Sequence, residues 1–313
     1  MTRLLGSRVV RLGIAVALTT YLLWKNDPAA IGRAAASADW RWIGFACGLV
    51  LFDRALMAWR WLALLRPVTP ATLRFGAIMR VFFVSSFVGT FLPASIGGDA
   101  VRAYGVMRHD VVGSAAVASV AMDRALGVVS VLLLGLVSAL TLTAVVPQGV
   151  WVLLAVGGVV SIAAAAVIFV DVIGDAVGRL AVRLPGARLR HVAQRLLDAV
   201  RAYRHHHGAL AGVLAASVTV QALRVVQAWG LGRALGIDAS LAVYFVAIPI
   251  CVLIMQVPVT VSGLGTGQAA FLWTLGPAGV ARPEALALSM LFIGLGIVGN
   301  LPGGILYAFG GRR

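Results

Sequence analysis

The chain has 313 residues, of which 61% are hydrophobic and only 12% are charged. Soluble domains carry about 25% charged residues, so this composition excludes an ordinary water-soluble domain and indicates an integral membrane protein. The net charge of +15 would suggest a nucleic-acid partner for a soluble protein, but in a membrane protein it indicates arginine-rich loops that face anionic lipid headgroups. We therefore expect membrane lipids, and no nucleic acid, as partners.

The apolar runs predict an all-α fold, a polytopic membrane helix bundle. They are continuous, whereas the strands of a membrane barrel alternate between apolar and polar residues, and a helix needs about 20 residues to cross a bilayer. The predicted spans are 7–25, 42–62, 112–146, 150–172, 208–235 and 284–310. Three glycine pairs with GxxxG spacing indicate close contacts between helices: Gly44 and Gly48, Gly232 and Gly236, Gly299 and Gly303. We expect residues 1–313 to form one membrane domain, with a first half of about 1–146 and a second half of about 150–313.

Two further apolar regions, 75–100 and 242–275, are interrupted by proline and glycine. Arginines favour the cytoplasmic side of a membrane, and their distribution places both termini and the stretch 175–207 in the cytoplasm. In that orientation the first region enters and leaves the membrane at its inner face, and the second at its outer face. We therefore predict two broken re-entrant segments related by an inverted pseudo-repeat, which in transporters surround the substrate site. Two ordinary helix kinks are the alternative, since proline and glycine are frequent in membrane helices.

Residues 185–207 predict a basic helix that lies on the inner membrane surface. Its apolar face consists of Leu189, Val192, Leu196, Val200 and Tyr203, and arginines cover the rest. A helix that binds a cytoplasmic partner is the alternative. The run His205–His207 is interpreted as a solvated loop end, and we expect neither a metal nor a cofactor.

The first interruption reads FLPASIGGDAVRAY, residues 91–104, and places charges beside a glycine pair. Asp99 and Arg102 are spaced to share one helical face. If Gly97 and Gly98 free the backbone there, a helix N-terminus would point its N–H groups, together with Arg102, at an anion such as a lipid phosphate. An interfacial turn capped by Asp99 is an equally good alternative.

Two aspartate–arginine pairs, Asp53–Arg54 and Asp123–Arg124, lie in or near the predicted spans. A charge at mid-helix costs about 2.5–3.5 kcal/mol, so any deep member of these pairs needs a partner. One hypothesis is a crossed pairing of Asp53 with Arg124 and of Asp123 with Arg54. A polar vestibule that opens to the cytoplasm is the alternative. Asp53, Arg54 and Arg60 are assigned to structural charge pairs.

Arg224 lies within the apolar stretch LAASVTVQALRVVQAWG, between Gln221 and Gln227. Because Gln221 and Arg224 are three residues apart, they share a face, and we expect this face to point into the bundle interior. Three further intramembrane amides are expected to hydrogen-bond across helices: Gln256, Gln268 and Asn300.

The stretch FLPASIGGDAVRAY, preceded by RALMAWRWLALL and followed by VASVAMDRALGVV, resembles the membrane region of bacterial lysylphosphatidylglycerol synthases and of related flippase-like proteins. In that family Pro-x-x-x-Gly-Gly-Asp-x-x-Arg comes first, Asp-Arg-x-x-Gly follows, and Pro…Gly-x-Gly-x-x-Glu comes late. The residues that match these motifs are Pro93, Gly97, Gly98, Asp99, Arg102, Asp123, Arg124, Gly127, Pro258, Gly263 and Gly265. Gln268 stands where the family usually has glutamate, and Gly267 where a basic residue is common, so energy coupling or substrate choice is expected to differ.

The resemblance implies a lipid translocase, which moves an anionic phospholipid or a polyprenyl-type lipid between the leaflets of the bacterial inner membrane. The matched residues other than Gly127, with Arg224 and Gln268, are the expected substrate-binding set. Since the chain ends at Arg313, just after a predicted span, we expect the translocating part without the synthetic domain, and no enzyme activity.

Two other functions remain open. One is a scaffold or accessory subunit that binds a lipid-biosynthesis enzyme. The other is an intramembrane lipid-modifying transferase that uses Asp99 or Asp123 as its base. The shortage of catalytic motifs disfavours the transferase, and the cost of intramembrane charges disfavours the scaffold.

Overall fold

A computed structural model of the chain describes residues 36–69, 72–91, 94–141, 148–183, 186–256 and 265–308. These residues form eleven α-helices and three short 3-10 helices, with no strand among them, so the all-α prediction is confirmed. The α-helices are α1 (Trp40–Leu65), α2 (Phe75–Phe91), α3 (Ala94–Met107), α4 (Gly113–Thr141), α5 (Gln148–Phe169), α6 (Asp171–Val182), α7 (Ala187–Arg201), α8 (His207–Ala234), α9 (Leu241–Gln256), α10 (Thr266–Leu275) and α11 (Arg282–Ala308).

Five of these helices are long and apolar enough to cross a membrane: α1, α4, α5, α8 and α11. They correspond to five of the six spans predicted from the apolar runs. The remaining predicted span, 7–25, lies outside the described residues.

The first interrupted region forms a helical hairpin in which α2 and α3 run antiparallel. A Cβ atom added at Gly98 would lie 3.1 Å from the Cα atom of Gly89, and one added at Gly105 would lie 2.8 Å from the Val81 side chain. The chain therefore reverses between α2 and α3 and does not continue as one kinked helix. We call Phe75–Met107 the first hairpin.

The second interrupted region is also a helical hairpin, made by α9 and α10. The Cys251 Sγ atom lies 3.3 Å from Thr274 Oγ1, and a Cβ atom added at Gly267 would lie 3.3 Å from the Met255 sulfur, so the two helices pack antiparallel. We call Leu241–Leu275 the second hairpin. Entry of the two hairpins from opposite membrane faces, and their inverted relation, stay predictions.

Long helices hold the two hairpins together. α8 packs along α1, and α11 packs along α2 and also contacts α10. One apolar core joins the first hairpin to α1 and α4 through Trp61, Phe82 and Val106, and another surrounds Tyr244 and Phe271 in the second hairpin. The space between these two cores is where the polar residues collect.

The predicted basic helix is present as α7, followed by a 3-10 turn at Ala202–His205. Its apolar face packs partly against the protein, because Leu196 and Val200 lie in a cluster around buried Tyr203. The Tyr203 hydroxyl donates a hydrogen bond of 2.7 Å to the carbonyl oxygen of Leu64, and burial raises the pKa of Tyr203, which keeps this donor protonated. A location on the membrane surface stays a prediction for this helix.

Only some of the GxxxG glycines make the close contacts that their spacing predicts. A Cβ atom at Gly303 would overlap the carbonyl oxygen of Phe83, and one at Gly299 would lie 2.9 Å from the Val50 side chain. Gly44 and Gly48, in contrast, have no described atom within 4 Å of an added Cβ, so the close contact of that pair stays a prediction.

We expect Gly303→Ala to destabilise the protein, because the new methyl group would meet the backbone of Phe83 and lie 2.9 Å from the Phe87 Cβ atom. Such overpacking costs about 1–3 kcal/mol. The matched control is Gly294→Ala on the same helix, whose Cβ atom would have nothing within 4 Å. Thermal unfolding in detergent should give a clearly lower midpoint for Gly303→Ala than for Gly294→Ala, and equal midpoints would contradict this close helix contact.

Candidate functional site

A cavity of about 540 Å³ lies between the two hairpins, enclosed by α1, α4, α8 and α11. The ends of α2 and α9 that lead into the two chain reversals both line it, through Gly89, Thr90, Met255 and Gln256. Its wall carries eight charged side chains: Asp53, Arg54, Arg60, Asp99, Arg102, Asp123, Arg124 and Arg224. Three groups of ion pairs organise these charges.

The first group is a buried triad in which Asp123 binds two arginines. Arg60 of α1 donates to one carboxylate oxygen over 2.7–2.8 Å, and Arg102 of α3 donates to the other over 2.8 Å. Arg60 also donates to the Ser217 hydroxyl on α8 over 3.0 Å. The Arg102 guanidinium stacks on the Trp61 ring at 4.1 Å. All three charged residues are at most 5% exposed, so these contacts tie four helices together in a nearly buried part of the cavity wall.

The second group is the Asp99–Arg124 pair at the more open side of the cavity. Arg124 donates two parallel hydrogen bonds of 2.9 Å to the Asp99 carboxylate, a planar fork that suits arginine. The Arg124 side chain is 48% exposed and that of Asp99 is 21% exposed. This pair is therefore reachable from the cavity and neutral as a unit.

The third group places one carboxylate between two arginines. Asp53 on α1 is 1% exposed and lies 3.5 Å from Arg54 and 3.9 Å from Arg224. Arg224 also donates to the Gln221 amide oxygen over 3.3 Å. Arg224 is thus turned into the bundle interior, as its flanking glutamines predicted.

These contacts correct the pairings expected from the sequence. The crossed pairing of Asp53 with Arg124 and Asp123 with Arg54 is wrong. Arg60 follows Asp53 by seven residues, two helical turns on the same face, and it is Arg60, not Arg54, that reaches Asp123. Asp99 and Arg102, which the sequence placed on one helical face, each bind a side chain of α4.

Asp99 does not sit at a helix start. α3 begins at Ala94, so Asp99 lies in its second turn, and both a cap at Asp99 and an anion site formed by a helix N-terminus at Gly98 are wrong. Gly98 lines the cavity, and it also lets α2 and α3 touch. Gly97 lies within α3, and Pro93 lies outside the described residues.

The late motif does not reach the cavity in the described part of the chain. Gly265 has a φ of 85°, which favours glycine, and it caps α10 while its N–H donates to the side-chain oxygen of Gln268. Gln268 is 1% exposed and is not in the cavity wall. Its side-chain oxygen therefore caps α10, and its expected bond to another helix stays a prediction, since the amide nitrogen has no partner among the described residues. Pro258 and Gly263 lie outside the described residues.

Some cavity residues were missed or only partly assigned by sequence reasoning. Met57 accepts hydrogen bonds from both Arg54 and Arg224, and Asn300 donates to Thr90 over 3.0 Å, which bears out a cross-helix bond for that amide. The spacing of Asp53, Met57 and Arg60 at i, i+4 and i+7 marks one face of α1 and was the signal that could have found Met57.

The fold and site together define a class: a polytopic α-helical membrane protein whose helices enclose a charged, partly buried cavity. The chain belongs to the lysylphosphatidylglycerol synthase transmembrane-region family, whose family model matches residues 8–303. This confirms the resemblance carried by the three motifs. No curated protein and no solved structure matches the chain.

We expect Asp123→Asn to be strongly destabilising, because it leaves Arg60 and Arg102 buried without a carboxylate, and breaking a buried ion pair costs about 3–5 kcal/mol. Asp99→Asn is the matched control, since the pair it breaks is partly exposed and such pairs contribute at most about 1 kcal/mol. The unfolding midpoint in detergent, with the yield of monodisperse protein, measures both. Similar losses for the two variants would show that the triad has no special structural weight.

Proposed function

We propose that this protein is a lipid translocase that moves an anionic phospholipid or a polyprenyl-type lipid between the leaflets of the bacterial inner membrane. The observation that carries this proposal is the arginine-rich cavity, which lies inside a bundle of apolar helices where two interrupted hairpins meet. Charged side chains inside a membrane protein are expensive, and they typically mark a path for a polar or charged substrate.

The size of the cavity suits a headgroup. Its volume of about 540 Å³ lies in the range of about 300–1,000 Å³ typical of small-molecule sites. In our proposal the headgroup enters this polar space while the acyl or prenyl chains stay among the lipids outside the helices. Movement of one hairpin relative to the other would open the cavity alternately to each leaflet, as in transporters built around interrupted helices.

We also propose that the protein is not an enzyme. A transferase base must accept a proton, but both oxygens of Asp123 and of Asp99 already accept hydrogen bonds from arginines. A pure scaffold role is disfavoured because eight charged side chains around an internal cavity do nothing for docking at the surface. A lipid-biosynthesis enzyme that supplies the substrate remains a proposed partner.

Reconstitution into vesicles tests the translocase proposal. With fluorescent anionic lipids, a membrane-impermeant quencher should reach the inner-leaflet probes in vesicles that contain the protein, and only the outer-leaflet probes in protein-free vesicles. Equal quenching in both, for anionic phospholipids and polyprenyl phosphates alike, would overturn the proposal.

A variant that fills the cavity should block this movement. Gly127 lines the cavity, and an added Cβ atom there has nothing within 4 Å, so Gly127→Met places a side chain in the cavity without a clash at its root. Gly158→Met on α5 is the matched control, since Gly158 has equal room and is not in the cavity wall. We expect the first variant to lower the translocation rate at least tenfold and the second to leave it unchanged. Equal rates would place the lipid path elsewhere.

The arginine distribution supports a cytoplasmic C-terminus and a cytoplasmic α7–α8 connection. A protease site inserted after His206 should be cut in inverted membrane vesicles and protected in intact spheroplasts. Cutting only in spheroplasts would reverse the proposed orientation.

A further inference from the structure

The charge balance of the cavity indicates which headgroup it takes, provided that a headgroup enters it as the proposed function requires. Five arginines and three aspartates are the charged residues among its described lining. The wall thus has a formal excess of two positive charges, in surroundings where an uncompensated charge is costly. A bound anion is the natural source of compensation.

The excess charge is divided between two places of different accessibility. The Asp123 triad has one positive charge in surplus, but its side chains are nearly buried, and Asp99 is matched one to one by Arg124. The other surplus lies at Asp53, which has one carboxylate for Arg54 and Arg224. The side chains of these two arginines are 13% and 22% exposed, whereas those of Arg60 and Arg102 in the Asp123 triad are 4% and 6% exposed.

The oxygen acceptors of Arg54 and Arg224 are few and distant: Arg54 donates to the Gly296 carbonyl oxygen over 3.4 Å, and Arg224 donates to the Gln221 amide oxygen over 3.3 Å. Both donate to the thioether sulfur of Met57, at 3.4 and 3.5 Å, and a thioether is only a weak acceptor. Neither reaches Asp53 within normal hydrogen-bond distance, and the buried Nε atom of Arg54 has no partner. One turn along α8 from Arg224, the Gln227 amide nitrogen lines the same cavity and is buried without a partner. Two donor groups, Arg54 Nε and the Gln227 amide nitrogen, thus lie unpaired on this side of the cavity, together with one unpaired acceptor, Asp53 Oδ1.

We propose that Arg54 and Arg224, with Gln227, form the anion subsite of the cavity, and that it selects lipids whose headgroup ends in a phosphate monoester. Such a group carries about 1.5–2 negative charges at pH 7 and three acceptor oxygens, which matches both the surplus charge and the idle donors. Arginine binds phosphate through two parallel N–H groups. A phosphodiester has a single charge, and a headgroup with ammonium groups would add positive charge to a wall that already has too much.

Binding to the purified full chain in detergent tests the selectivity. The probes are dioctanoyl phosphatidic acid, dioctanoyl phosphatidylglycerol, dioctanoyl lysylphosphatidylglycerol and inorganic phosphate. At pH 7.5 we expect phosphatidic acid to bind at least tenfold more tightly than phosphatidylglycerol, and lysylphosphatidylglycerol to bind most weakly of the lipids. The preference for phosphatidic acid over phosphatidylglycerol should shrink to about threefold or less at pH 5.5, because the second pKa of a phosphate monoester is about 6.

Variants test the location. Arg54→Gln and Arg224→Gln should each weaken phosphatidic acid binding at least tenfold and reduce its advantage over phosphatidylglycerol. Arg224→Lys keeps the charge but loses the fork, so an intermediate loss is expected, and this variant also serves if a glutamine variant fails to fold. Arg233→Gln is the control, because it removes an arginine from the same helix whose partner, Asp238, lies at the exposed surface.

Several results would overturn the subsite. Equal affinities for phosphatidic acid and phosphatidylglycerol would contradict the charge selectivity. An equal loss of phosphatidic acid affinity in Arg233→Gln would contradict the assigned location. Inorganic phosphate that binds as tightly as phosphatidic acid would exclude a lipid as the intended ligand. Selective binding without translocation would reject only the translocase, whereas translocation without a phosphate-monoester preference would reject only the subsite.

Discussion

The buried contact of Asp123 with Arg60 and Arg102 is the interaction on which the rest of the structure depends. Three buried ions are costly unless they are paired and hydrogen-bonded. Here distances of 2.7–2.8 Å pair both arginines with Asp123, while the Nε and Nη2 atoms of Arg102 have no partner among the described residues. The contact fixes α3 to α1 and α4, and Ser217 extends it to α8. It therefore fixes the position of the first hairpin relative to α1 and α4, and it forms the least exposed part of the cavity wall.

The three aspartates of the cavity have different structural roles because their surroundings differ. Asp123 is saturated by two buried arginines, Asp99 forms an accessible neutral pair, and Asp53 only partly compensates its two neighbours. The same residue types thus form a buried structural triad at Asp123, a neutral and accessible pair at Asp99, and a positively charged group at Asp53. In the proposed anion subsite, a headgroup would therefore meet donors that have no partner among the described residues.

Glycine at a few positions makes this compact arrangement possible. α2 contacts α3 closely at Gly98, and it contacts α11 at Gly303, where an added Cβ atom would overlap the backbone of Phe83. These contacts bring the broken end of α2 close to α11, and the bond from Asn300 to Thr90 holds it there. The backbone near the first chain reversal thereby lies against the cavity, while the corresponding end of α9 faces it through Met255 and Gln256.

The sequence by itself determined the helical class, five of the described spans, the two interruptions and the inward face of Arg224, since each follows from local hydropathy or from spacing along one helix. It could not determine the ion pairing. Asp123 had several arginines within plausible reach, and the choice of Arg60 and Arg102 depends on the relative height and rotation of α1, α3 and α4, which are set by side-chain packing between distant segments. For the same reason only the tertiary structure decided that Gln268 caps its own helix and that Met57 stands between two arginines.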